Sequence, residues 1–210
     1  NVSIKNLYLM QGTTVTANGT ITVTDSITNY GTINGNGSVT GTADNNKLVV
    51  INAGTIGCSS LNASSIEIVD TSTLSGTISV GSFTAENLGG KTLTVNGTVN
   101  VTGDDSLNVS GTSTSSRLTI AGSGSFNFTT KPTKHVGQYL QFAMQAPTVT
   151  NGPAKISYSI NSAGGTNDFP SGWELDNTFV WLGTKSKTLS EPENWEGGRI
   201  PGNGDDEVSI

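Results

Sequence analysis

The chain has 210 residues, a formal charge of −6, 33% hydrophobic residues and only 12% charged residues. Mild acidity without any Lys/Arg cluster speaks against nucleic acid or an anionic membrane as partner, and no apolar run reaches the length of a membrane span. Cys58 is the only cysteine, which excludes an internal disulfide.

Low hydrophobicity alone suggests disorder, but disorder usually needs higher net charge and fewer β-branched residues. Thr, Val and Ile are abundant here and suit a pleated surface. Gly, Asn and Ser fill the intervals, and these form turns. An ordered all-β chain with many short strands is expected. No signal peptide is visible, so a mature chain or an excised piece is expected.

From the N-terminus, short runs alternate apolar and polar residues. They include Ile21-Thr22-Val23, Leu48-Val49-Val50-Ile51, Ile66-Glu67-Ile68 and Leu93-Thr94-Val95. Val99-Asn100-Val101, Leu107-Asn108-Val109 and Leu118-Thr119-Ile120 follow. Period-two alternation reads as strands with one buried face. Gly-Thr-apolar triplets punctuate them at Gly31, Gly54, Gly76 and Gly97, with steps of 23, 22 and 21 residues. A near-fixed step in the twenties marks stacked units. Residues 1–130 are therefore expected to form β-solenoid coils of about 20–23 residues each. Ile33, Ile56, Ile78 and Val99 hold the same place after each Gly-Thr and are expected to share one core column. The glycines serve where the chain turns with positive φ or where backbones approach closely. A β-sandwich is the competing architecture, since regular short strands with turns fit it too.

The pattern over residues 1–130 resembles the right-handed parallel β-helix of bacterial surface adhesins and autotransporter-like passengers. The resemblance implies an extracellular, cell-surface location.

The rest of the chain is written differently. Residues 131–210 hold 15 of the 26 charged residues, all three tryptophans and all six prolines. Residues 131–180 are expected to form an irregular β cap or subdomain over the open solenoid end. Residues 181–210 are the most motif-like: Trp181-x-Gly183, Asn194-Trp195-x-x-Gly198, Ile200-Pro201, then Asp205 or Asp206 and Val208-x-Ile210. This resembles the W-x-G…NW…G-x-P…D-x-V-x-I segment between β-helical blocks of large bacterial surface proteins. The two Trp side chains are expected to clamp a loop, and Val208-Ser209-Ile210 to begin a new strand. Val-Ser-Ile also stands at Val2 to Ile4, so head-to-tail docking between copies, or between repeats of one polypeptide, is expected.

Chemistry is sparse. His135 is the only histidine and reads as a boundary-loop residue; Cys58 reads as a small core residue. Asp25, Asp44, Glu67, Glu86 and Asp105 follow one another at steps of 19, 23, 19 and 19, close to one coil. Their offsets from the glycine triplets wander, so solvated corners are expected and not one catalytic column. Asp104, Asp105, Asp205 and Asp206 form the densest acidic pairs and are weak calcium candidates, with no D-x-D-x-D-G loop to support them. A Thr-x-Thr pair held at one register on many coils would make a hydroxyl ladder able to order water and bind ice. Thr20 to Thr24 and Thr92 to Val95 carry such pieces only sporadically.

The expected function is structural and non-catalytic: a stalk, adhesin repeat, filament or surface-layer subunit needing no cofactor. Further copies or repeats are the expected partners, with host or matrix glycans as additional candidates. The alternative is a carbohydrate-binding or polysaccharide-degrading β-helix. A clustered acidic groove with exposed aromatics would favour that alternative; smooth Asn/Ser/Thr faces would favour the stalk.

Overall fold

A computed structural model describes residues 1–41, 48–51, 54–195, 200–201 and 207–209. Eighteen strands form one sheet that winds along a single axis, and every ladder between its named strands is parallel. The fold is a β-solenoid. An antiparallel two-sheet sandwich is thereby ruled out. Among the described residues the only helical element is one turn of 3-10 helix, Pro192–Asn194.

Three ladders run along the axis. The first begins at β2 (Thr14–Thr16), where Val15, Ile33, Ile56, Leu74 and Val95 occupy successive rungs. The second runs through Val2, Ile21, Val39, Leu61, Ile78, Val99, Phe126 and Val149, eight rungs in register. The third carries Leu7, Ile27, Val49, Ile66, Phe83 and Leu107. Period-two alternation turns one face of each strand inward, and Ile33, Val39, Ile56, Leu61 and Val99 are fully buried there.

The expected single column of Ile33, Ile56, Ile78 and Val99 is corrected. Ile33 and Ile56 share the first ladder, whereas Ile78 and Val99 share the second. Ile56 is paired with Leu74, and Ile78 with Leu61. The near-constant triplet step has a mixed origin. From Gly31 to Gly54 and from Gly76 to Gly97 it is one full turn on one ladder. From Gly54 to Gly76 the chain crosses to the next ladder and then makes a shorter turn.

Glycine at the start of the second ladder is required by crowding. A Cβ on Gly97 would collide with the carbonyl oxygen of Gly76, and one on Gly124 with that of Gly97. Gly76 also holds a φ of 76°, a left-handed conformation that costs other residues.

The parallel ladders do not break at residue 130. β14 (His135–Gln138) stacks on β11 (Leu107–Ser110), β17 (Ala154–Ser157) on β14, and β18 (Trp173–Leu175) on β17. What changes is the filling. Aromatic rings occupy the core: Phe126 meets Phe83 and Trp173 edge to face, and Phe142 packs against Trp173 at 5.1 Å. The Trp173 indole N–H donates to the Pro147 carbonyl at 2.8 Å, which satisfies its one buried polar atom.

Beyond this, β19 (Thr178–Val180) and β20 (Glu207–Ser209) form a separate parallel pair. The expected strand at Val208 is present, and its partner is Phe179 of the same chain.

Candidate functional site

Charge is partitioned among the ladders. Among the described residues no strand residue on the first or second ladder is charged. Glu67, Lys155 and Glu174 stand on the third, and Lys5 and Asp25 where the second passes into it.

The second ladder turns a continuous hydroxyl and amide surface outward. Its rungs are Thr20-x-Thr22, Ser38-x-Thr40, Ser60-x-Asn62, Thr77-x-Ser79, Thr98-x-Asn100, Ser125-x-Asn127 and Thr148-x-Thr150, all in register. The Thr-x-Thr pattern read as sporadic is therefore regular once the coils are stacked, with Ser replacing Thr and Asn filling part of the second column. Bonds along the axis tie neighbours together: Ser38 Oγ donates to Thr20 Oγ1 at 3.3 Å, Asn100 Nδ2 to Ser79 Oγ at 3.3 Å, and Asn127 Nδ2 to Asn100 Oδ1 at 3.2 Å. The first ladder has its own column, Thr14, Thr32, Thr55, Thr73 and Thr94, but Ala121 ends it and Gly57 interrupts the column beside it.

The acidic residues do not gather. Relative to the third-ladder rungs, Asp25 lies two residues before Ile27 and Asp105 two before Leu107, whereas Glu67 follows Ile66 directly and Glu86 lies three after Phe83. Asp25 and Asp105 share an offset but stand four rungs apart. Asp44, Asp205 and Asp206 lie outside the described residues. Among the described residues no group of three His, Cys, Asp or Glu converges as a cation site would.

Asp105 clamps a loop. Its carboxylate accepts from Thr133 N at 2.7 Å, Thr133 Oγ1 at 2.6 Å and Lys134 N at 3.1 Å. Burial pushes its pKa up, but these bonds outweigh burial and hold it below the usual carboxylate range. Asp104 beside it is exposed.

The main titratable cluster lies in a cleft of about 280 Å³ lined by Thr133, Lys134, His135, Lys155, Asp176 and Thr178. Lys155 Nζ lies 2.8 Å from Asp176 Oδ2, and Thr178 N donates to Asp176 Oδ1 at 2.9 Å. His135 Nε2 meets the Asp176 carbonyl at 2.9 Å, and its ring stacks on Phe179. Burial works against ionisation of Asp176, but the Lys155 and Thr178 bonds and the nearby cations bring its pKa down. These contacts tie β14, β17 and the start of β19 together. The sequence places His135 at a boundary loop; it stands at the start of a strand, half-buried.

Cys58 is buried, and burial pushes its thiol pKa up, away from the reactive thiolate. Among the described residues no helix is long and apolar enough to cross a membrane.

The tryptophan motif is organised by a residue that the motif contains but does not single out. Trp181 and Trp195 meet edge to face at 5.0 Å, and Trp195 Nε1 donates to the Leu189 carbonyl at 2.8 Å. The hub is Asn194, which is fully buried. Its Oδ1 accepts from Lys185 N at 2.8 Å and Ser186 N at 3.0 Å, and its Nδ2 donates to Ser186 Oγ and the Thr188 carbonyl. A buried Asn must use its amide fully, and these four bonds do so; nothing in the neighbouring sequence marks that burial. Pro201 is partly buried.

The fold defines the class: a parallel β-solenoid with two uncharged polar faces. No protein-family model, curated protein or solved structure matches the chain.

Proposed function

We propose that this chain is a non-catalytic structural or adhesive segment of a secreted bacterial surface protein, a stalk or repeat that joins to further copies head to tail. The observation that carries this reading is the unbroken parallel stacking from Val2 to Leu175 behind smooth Ser/Thr/Asn faces. An elongated body of this kind spans distance with little apolar core, because each coil borrows its core from its neighbours. The scattered registers of Asp25, Glu67, Glu86 and Asp105 offer no paired carboxylates for glycoside chemistry, which needs two acids across one bond. Calcium, host glycans and the extracellular location remain part of this proposal.

The test has two arms. Small-angle scattering and electron microscopy of the chain should give a rod, with longer rods if copies join end to end. Incubation with a panel of acidic and neutral polysaccharides should release no product. Product release that disappears in Glu67→Ala would replace the stalk with the polysaccharide-degrading alternative.

A further inference from the structure

We propose that the second ladder is an ice-adsorbing face. The proposal stands on the lattice itself and does not depend on the stalk reading. Seven rungs repeat one outward pattern, a Ser or Thr followed two residues later by Ser, Thr or Asn. Adjacent rungs are ~4.8 Å apart and the two positions of one rung ~6.7 Å apart, so donors and acceptors form a two-dimensional net ~29 Å long. No register shift interrupts the face between Thr20 and Thr150; the nearby shifts fall at corners, at Ile4/Asn6 and Gly35/Ser38.

The chemistry of the net selects the ligand. It does not take part in the clefts around His135, Trp181 or Phe142, so it does not enclose a small molecule. It has no exposed aromatic ring on which a sugar would stack. It is hydroxylated rather than apolar, so a second protein copy gains little by covering it. It carries no charge, whereas a charged side chain would impose its own hydration on the first water layer. A rigid hydroxyl and amide net, with rotamers tied by Ser38–Thr20, Asn100–Ser79 and Asn127–Asn100 bonds, holds first-layer water at fixed repeats. The partner that shares a few-ångström periodicity in two dimensions and is made of water is an ice surface. Each contact is weak, and the affinity comes from many made at once by a face already ordered before contact.

The test uses the whole chain in ice-recrystallisation and thermal-hysteresis measurements, and a fluorescently tagged chain on a single ice crystal. The proposal requires faceted crystals, inhibited recrystallisation and labelled ice. Thr77 is exposed, so Thr77→Tyr puts a ring on the middle of the net. It should lose the ice effect while circular dichroism and melting stay as in the parent. If Thr77→Tyr fails to fold, Thr77→Lys tests the same point with a flexible charge. Glu67→Tyr, on the third ladder, should keep the effect. Three results overturn the proposal. One is a parent chain without effect on ice, and another is equal loss in Glu67→Tyr. The third is retention by insoluble cellulose or chitin that Thr77→Tyr abolishes while ice is left untouched.

Discussion

Ile56 and Ile78 sit in matching Gly-Thr-Ile triplets yet belong to different ladders: Ile56 is paired with Leu74 and Ile78 with Leu61 and Val99. Each core position is therefore held by the rungs above and below it on its own ladder. Ile78→Ala should cost about 2–5 kcal/mol, whereas Ser79→Ala, on the outer side of the same strand, should stay within about 0.5 kcal/mol. Urea unfolding of the two variants measures both. Equal effects would mean that the rung does not face inward at Ile78.

Backbone stacking at the glycine corner predicts a second asymmetry. Gly97→Ala drives a methyl into the Gly76 carbonyl and should cost about 2–3 kcal/mol. Gly90 also has a positive φ, 73°, but open space around it, so Gly90→Ala should cost about 1 kcal/mol. Thermal melting that ranks Gly90→Ala as the more damaging would contradict the corner geometry.

Asp105 predicts an acid-sensitive term. Its folded pKa is depressed, so its contribution is complete above the unfolded carboxyl value of about 3.9 and is lost as pH falls through the lower folded value. Asp105→Asn tolerates the left-handed backbone at this position, φ 48°, and removes the charge. At pH 7 the variant should be less stable by about 1 kcal/mol, a small figure because the carboxylate is solvent-accessible. The gap between parent and variant should close toward pH 2. A gap that widens in acid would reverse the sign of the argument.

Asn194 predicts a local failure. Asn194→Ala strands two backbone N–H groups, of Lys185 and Ser186, and should cost about 1–3 kcal/mol. Hydrogen exchange should speed up at Lys185 and Ser186 while the amides of Val99 and Ile120 stay protected. Uniform acceleration across the chain would show that the loop and the solenoid open together.

Much of the fold was legible in the sequence, because apolar alternation at Leu93-Thr94-Val95 or Leu118-Thr119-Ile120 has one structural meaning once glycines punctuate it. The assignment of rungs to ladders was not. Turns on the second ladder take 17 residues from Leu61 to Ile78 but 27 from Val99 to Phe126, and corners absorb the difference without a mark in the strand pattern. The hydroxyl net was hidden for the same reason. Thr98, Ser125 and Thr148 are neighbours only after stacking, and their spacing of 27 and 23 residues carries no period. The continuation past residue 130 was masked by composition, since aromatic filling and proline-rich corners there cover the same parallel ladders. Asn194 was legible as part of a motif but not as its centre, because burial of a polar side chain cannot be read from its neighbours in sequence.

The stacking makes length an adjustable property of the molecule. Excising residues 78–98 would join Gly76-Thr77 to Val99-Asn100, restoring a Gly-Thr-Val triplet with Val99 set directly over Leu61. The product would be one storey shorter by ~4.8 Å, with the same walls and the same ends. Duplicating the same stretch would add a storey. A gene for such a chain can lengthen or trim its reach by copying errors of whole turns, because each new rung still meets an apolar rung above and below it.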